Sequence, residues 1–295
     1  YDAEALVAAL TAAFPGSPIS GCSTAGAITP GGMVDEGVLL IAFRHAGFTV
    51  HAGVVENVSE FGVERATELA RRLRSQLRSD DGERRMSAFA MILVDGTSNT
   101  EESLVAALHW AIEHVPLIGG SAGDGLTFRG AVVVNESRVM ADAAVLILVE
   151  TAVPFRVFKT QNFEPTPIKL VVTAADTERR IVMELNAEPA ALEYASAIGL
   201  LPDDLGPFSF AAYPLVVKVG GNYYCRSIRN MNEDGSLSFF CAIDEGLVFT
   251  VARPQDMLRA TQEALDEIGQ EIGGIDFVIG FDCVLRRLDA ENRQI

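Results

Sequence analysis

Two short runs of small and hydroxyl-bearing residues have the chemistry to hold a small molecule. One is Gly21-Cys22-Ser23-Thr24-Ala25-Gly26; the other is Gly119-Gly120-Ser121-Ala122-Gly123-Asp124. Glycine lets backbone come close to a guest and leaves N–H groups able to bind anions. Ser23, Thr24 and Ser121 add hydroxyl donors, while Asp95 and Asp124 add acceptors. These residues, with Cys22 and Gly120, form the candidate ligand-binding set. The plain alternative is that they serve tight turns and close packing. Neither run is a phosphate loop: Gly-Lys-Ser/Thr is missing, and the second run lacks the order Gly-x-Gly-x-x-Gly.

Other chemistry is more scattered. Cys22 or Ser121 could act as the nucleophile of a hydrolase, but no histidine motif flags a base; a small buried thiol is the plainer reading of Cys22. A haem iron takes an axial ligand, most often histidine, and the candidates are His45, His51, His109 and His114. His109 and His114 lie about 140° apart around a helix, so they do not form a metal pair. Arg226 and Arg229 follow an apolar run and could clamp a carboxylate through their planar forks of donors. Surface ion pairing is the alternative in so acidic a chain.

The elements that position these residues read from periodicity and turn signals. Ala5 to Phe14 is expected as a helix, then a short strand at Pro18–Gly21. Val38–Phe43 and Phe48–Val54 are expected as a hairpin. Glu60 to Arg78 has one apolar side and reads as a long amphipathic helix. Phe89–Val94 is a buried strand. Asn99 is expected to cap the next helix, which runs to about His114. Pro116–Ile118, Ala131–Val134 and Ala143–Val149 read as strands. Lys169–Thr173 and Arg180–Leu185 are the arms of a hairpin, and Ala190 to Ile198 is a helix after Pro189. Strands recur at Leu215–Val219, Tyr223–Ile228, Leu237–Cys241 and Leu247–Val251. Pro254 is expected to open a helix, and Phe277–Phe281 a final strand.

The chain repeats itself. Leu6-Val7-Ala8-Ala9-Leu10 recurs as Leu104-Val105-Ala106-Ala107-Leu108, and in that register Pro18, Gly21 and Ser23 fall on Pro116, Gly119 and Ser121. The repeat, residues 5–54 and 103–150, implies a pseudo-symmetric lobe with two loops in similar surroundings, and a shared pocket. The fold class expected is α/β: two lobes of mixed β-sheet and helix layers with an internal pseudo-repeat. Phe277–Cys283 resembles Phe89–Asp95, so a following helix and loop would lie beyond Ile295, and the chain is expected to be truncated there. Its first residue is Tyr1, so the native start is expected to be missing.

Composition narrows the function classes. The formal net charge is −17 over 295 residues; that field repels nucleic acid and acidic membrane surfaces. No apolar run reaches the roughly 20 residues of a membrane span. Four cysteines without Cys-x-x-Cys spacing suggest neither zinc nor a disulfide framework, and fit free thiols in a reducing cytoplasm. Arg- and Ala-rich usage fits a bacterial genome.

At these residues the chain resembles the FIST family of bacterial sensory domains. The N-terminal likeness rests on residues 21–28, Asp95-Gly96 and residues 119–124. The C-terminal likeness rests on Arg226-Ser227-Ile228, Asp234-Gly235-Ser236-Leu237, Ile243-Asp244-Glu245-Gly246, and Phe281-Asp282-Cys283 with Arg286-Arg287. The chain departs from the family in having Ala27 where an acidic residue is usual, and in lacking a second closing loop. The resemblance implies an N-terminal part over 1–187 and a C-terminal part over 188–295. It also implies a non-enzymatic signal-transduction module that senses a small ligand such as an amino acid-like metabolite. One stand-alone branch is similar to haem b-based nitric oxide sensors that act on a histidine kinase. The rival readings are the Cys22 or Ser121 hydrolase and a non-catalytic interaction scaffold. In the sensor reading the ligand settles between two lobes and shifts their populations.

Overall fold

A computed structural model describes residues 2–34, 36–78, 87–125 and 130–293. The chain is mixed α/β and parts into two compact units, Tyr1–Val157 and Phe158–Ile295. The boundary expected at 187/188 falls inside the second unit.

The first unit holds α1 (Ala3–Ala13), β1 (Ser20–Cys22), β2 (Ala27–Thr29), β3 (Gly32–Val34), β4 (Phe48–Glu56), α2 (Val58–Arg74), β5 (Ser87–Asp95), α3 (Glu101–Ile112), β6 (Leu117–Ala122), β7 (Val133–Asn135), β8 (Arg138–Met140) and β9 (Ala143–Thr151). Its main sheet has the order β4-β9-β5-β6. Only β5 and β6 run parallel, as α3 links them in a crossover. All nine residues of β9 are buried, which explains its unbroken apolar run. One face of the sheet packs on α2 and α3 through Leu69, Leu73, Leu104, Leu108, Ile92 and Leu146. Burying each such side chain stabilises by roughly 1.5–3 kcal/mol. Gly53 admits α2: a Cβ there would stand 2.5 Å from Leu69 Cδ1.

Three local expectations are corrected here. Val38–Phe43 forms no strand; β-branched and apolar residues make a strand only beside a partner ladder. The cap position of α3 is Thr100, and Asn99 instead takes a left-handed φ of 56°, which Asn tolerates better than most residues. The first helix starts at Ala3, where Asp2 caps it by accepting from Ala5 N at 3.0 Å.

The second unit holds β10 (Phe163–Asp176), β11 (Ile181–Leu185), β12 (Glu188–Pro189), α4 (Ala190–Ile198), α5 (Pro207–Ala212), β13 (Leu215–Val219), β14 (Asn222–Arg226), β15 (Ile228–Met231), β16 (Leu237–Phe239), β17 (Val248–Pro254), α6 (Met257–Ile272) and α7 (Val284–Arg293). Its sheet runs β14-β13-β17-β10-β11-β16-β15, with β12 alongside β11. The core joins Leu170, Leu185, Leu215, Phe249 and Leu237 to Tyr194 of α4. Tyr194 is wholly buried, and its hydroxyl donates to Tyr213 O at 2.8 Å, as a buried phenol must.

Pro254 closes β17 rather than opening a helix. Asp256 caps α6 by accepting from Arg259 N at 3.0 Å. The run expected as one strand at 223–228 bends at Ser227, so β14 and β15 are separate. Phe277–Phe281 forms no strand, and Phe277 is 66% exposed. Among the described residues no helix is long and apolar enough to cross a membrane.

Candidate functional site

Three loops of the first unit meet at one corner. Residues 23–25 follow β1, residues 96–98 follow β5, and residues 121–124 run out of the end of β6. Gly123 N donates to Ser23 O at 3.0 Å, and Gly96 N donates to Ala122 O at 3.2 Å. At Gly96 the closeness depends on glycine, since a Cβ there would stand 2.5 Å from Ala122 O, whereas one on Gly123 would make an ordinary contact 3.6 Å from Ala25 N. The two repeated loops therefore do come together, as the repeat implied.

The floor of the corner is polar, buried and internally satisfied. Ser23 is 8% exposed. Its N donates to Val132 O at 2.9 Å, and its Oγ accepts from Val132 N at 3.0 Å. Asp95 is 2% exposed. Its Oδ1 accepts from Thr97 N at 2.9 Å and Thr97 Oγ1 at 2.7 Å, and its Oδ2 accepts from Asp142 N at 2.7 Å. Asp142 passes this contact on. Its carboxylate accepts from Ser59 N and Ser59 Oγ, and its carbonyl from Val58 N, at the start of α2. Asn57, the formal cap of that helix, makes no side-chain cap bond.

The rim is open and acidic. Thr24 and Ser121 are exposed, and Gly120 and Asp124 are half-buried. Ser121 Oγ donates to Glu101 Oε1 at 3.3 Å. Asp124 Oδ2 accepts from Gly130 N at 2.9 Å. Glu101 and Glu102 lie in the first turn of α3. Hydroxyls beside carboxylates favour a guest with an ammonium group over an anion.

Cys22 sits in β1 at the edge of this corner, half-buried. Burial pushes its thiol up to about 11, against the shift that activates a nucleophile. Among the described residues no hydrogen bond joins it to a histidine.

The four histidines are not gathered here. His45, His109 and His114 are exposed, and His109 packs edge-on against Trp110. Trp110 is 82% exposed. His51 is half-buried on β4, its Nε2 3.9 Å from Glu150 Oε2.

Arg226 and Arg229 belong to the second unit, on β14 and β15. Arg226 Nη1 donates to Cys225 O at 3.2 Å, and its Nε is buried without a hydrogen-bond partner. Arg229 is exposed. In the same unit Arg286 donates to Thr160 Oγ1 at 3.1 Å and Thr261 Oγ1 at 2.7 Å, with Asp282 Oδ1 3.3 Å from its Nε. Burial pushes the Asp282 carboxyl up, against the pull of Arg286. An open groove of 420 Å³ lies elsewhere in this unit, bordered by Asp176, Arg179, Asn232 and Asp234. Hydrogen bonds from Ser236 hold the Asp234 carboxyl low.

Gly96 and Gly123 lie in motifs the sequence singled out, while Thr97, Glu101, Val132 and Asp142 were not among its candidate site residues. Asp-Gly-Thr at 95–97 carries the signature of an Asx turn, so Thr97 was within reach. Val132 and Asp142 contribute through backbone or distant contacts that leave no local pattern.

Comparison with known protein families divides the chain near residue 189, later than its two compact units do. The FIST N domain model matches residues 1–188 and the FIST C domain model residues 190–294. The uncharacterized protein MJ1623 of Methanocaldococcus jannaschii is 26% identical over 265 residues, covering 84% of this chain and 50% of that protein. The chain thus spans about half the length of that curated relative. No solved structure matches the chain. With family models across both of its parts, the chain belongs to the FIST family of sensory domains.

Proposed function

We propose that the chain senses a small amino acid-like metabolite and that the three-loop corner of the first unit receives it. The observation that carries this reading is the Gly123 N to Ser23 O bond, which joins the two repeated loops. The floor is already satisfied, so it forms a rigid base, and recognition falls to the rim. Thr24 and Ser121 offer hydroxyls, and Asp124 and Glu101 offer carboxylates suited to an ammonium group. Family membership supports small-ligand sensing in signal transduction.

The test is a thermal-shift screen with free amino acids, followed by titration calorimetry. A ligand at 100 times its Kd stabilises by about 2.7 kcal/mol. Asp124→Asn and Thr24→Val should each remove most of that shift while leaving the unliganded melting point nearly unchanged. A panel in which no ammonium-bearing metabolite shifts the protein would sink the reading and favour the interaction scaffold.

A haem-dependent, nitric oxide-sensing form of the reading, upstream of a histidine kinase, has only its family branch in support. A Soret band on haem titration, abolished by one histidine substitution, would revive it. The hydrolase reading predicts a reactive Cys22. A thiol near 11 is only about 0.1% thiolate at pH 8, so Cys22 should alkylate far more slowly than a free cysteine. Fast, saturable alkylation of Cys22 would favour the hydrolase.

A further inference from the structure

The first turn of α2 is built apart from the rest of its helix. Phe61 leaves helical geometry, at φ −126° and ψ 19°, and divides residues 58–60 from the long amphipathic stretch that follows. Asn57 lies in the left-handed region at φ 52°. The two leading amides of the helix are satisfied from a distant loop instead. Val58 N donates to Asp142 O at 3.1 Å, and Ser59 N to Asp142 Oδ1 at 3.0 Å. Ser59 Oγ adds a bond of 2.7 Å to Asp142 Oδ2. Asp142 has a left-handed φ of 46°, which a non-glycine residue keeps only where its surroundings hold it.

Two separate routes join this turn to the loop corner. The first is polar. Asp142 N donates to Asp95 Oδ2, and the other oxygen of Asp95 holds Thr97 N and Thr97 Oγ1. Ser98 Oγ donates to Asp95 O at 2.7 Å and lies 2.8 Å from Thr100 Oγ1, at the head of α3. The second route is apolar. A Cβ on Gly62 would stand 3.1 Å from Leu104 Cδ2, so α3 presses on α2 directly after the break. Leu104 lies one helical turn beyond Glu101, whose carboxylate accepts from Ser121 on the rim. The routes end on either side of Phe61: Ser59 before it, Gly62 after it.

We infer that residues 58–61 are the element through which the corner reports its state: a turn that stays closed while the 95–98 loop and the head of α3 are held, and opens when they are not. This concerns regulation of the proposed binding corner and rests on that reading for its trigger. A guest that bridges Glu101 and Asp124 steadies both routes and raises the protection of the turn. The coupling is a shared local opening equilibrium. The break at Phe61 lets the turn open while the buried stretch at residues 66–73 stays wound.

Amide hydrogen exchange on the full chain tests it. Asn cannot accept on both sides, so Asp95→Asn should speed exchange at residues 59–61 by about tenfold or more, while residues 66–73 and the second unit keep their protection. Ser59→Ala should speed the same amides and leave Thr97 and Ser98 protected, since it removes only the last bond. An unchanged turn in both variants, or loss spread evenly along α2, overturns the inference. If Asp95→Asn does not fold, Thr97→Ala, which removes only the hydroxyl bond to Asp95, takes its place under the same criterion. The trigger is tested with the twenty free amino acids, each at about 1 mM. A melting shift accompanied by slower exchange at residues 59–61, by about threefold or more, supports the coupling. A melting shift with no change at these amides overturns the inference and leaves the ligand reading standing. No melting shift sinks the ligand reading, and the variants alone then decide whether the corner controls the turn.

Discussion

The two repeated loops share a sequence pattern and do opposite jobs. Ser23 is sealed into the floor, bonded to Val132 through both its backbone and its hydroxyl. Ser121, its counterpart, is exposed, and its hydroxyl donates to Glu101. Gly21 and Gly119 diverge in the same way: one has open space beside it and the other is pressed on Ile92. Duplication has preserved the residue types, while burial has decided which copy is sealed in and which copy stays exposed. The pseudo-symmetry is therefore one of sequence more than of environment.

Substitutions at the matched pairs sharpen or break this comparison. The largest expected effect is at Gly119. Gly119→Ala forces a methyl into the β5–β6 ladder and should cost more than about 4 kcal/mol in urea unfolding, or prevent folding. Gly21→Ala, at the matched position, should stay within about 0.5 kcal/mol. A next, smaller contrast is between the serines. Ser23→Ala leaves Val132 N buried without its acceptor and should cost about 1–3 kcal/mol. Ser121→Ala should move stability by no more than about 0.5 kcal/mol and change ligand affinity instead. Equal losses at Ser23 and Ser121 would break the division between floor and rim.

Much of the architecture was legible where a segment carries its own evidence. Helix α4 after Pro189, the β10–β11 hairpin and the buried run of β5 are set by periodicity, turn residues and length. The convergence of the loops was legible too, because the repeat supplied a second copy to compare. The failures share a cause. Val38–Phe43 and Phe277–Phe281 have strand-like composition, yet a strand exists only through its neighbour, and composition says nothing about whether the neighbour is there. Pro254 suits either the end of a strand or the start of a helix, and Asp256 decides for the strand by capping α6 itself. Within the corner, Val132 and Asp142 contribute through bonds formed only once distant segments meet.

Asp95 and Asp142 form a two-link chain between the loop after β5 and the first turn of α2. One carboxylate grips the Thr97 turn and the Asp142 amide; the next grips Ser59. Because α2 makes no side-chain cap bond through Asn57, its leading end is held from the loop corner. Any change that twists the 96–98 turn enough to loosen Asp95 also unfastens the helix, so the shape of that turn and the anchoring of α2 share a single latch.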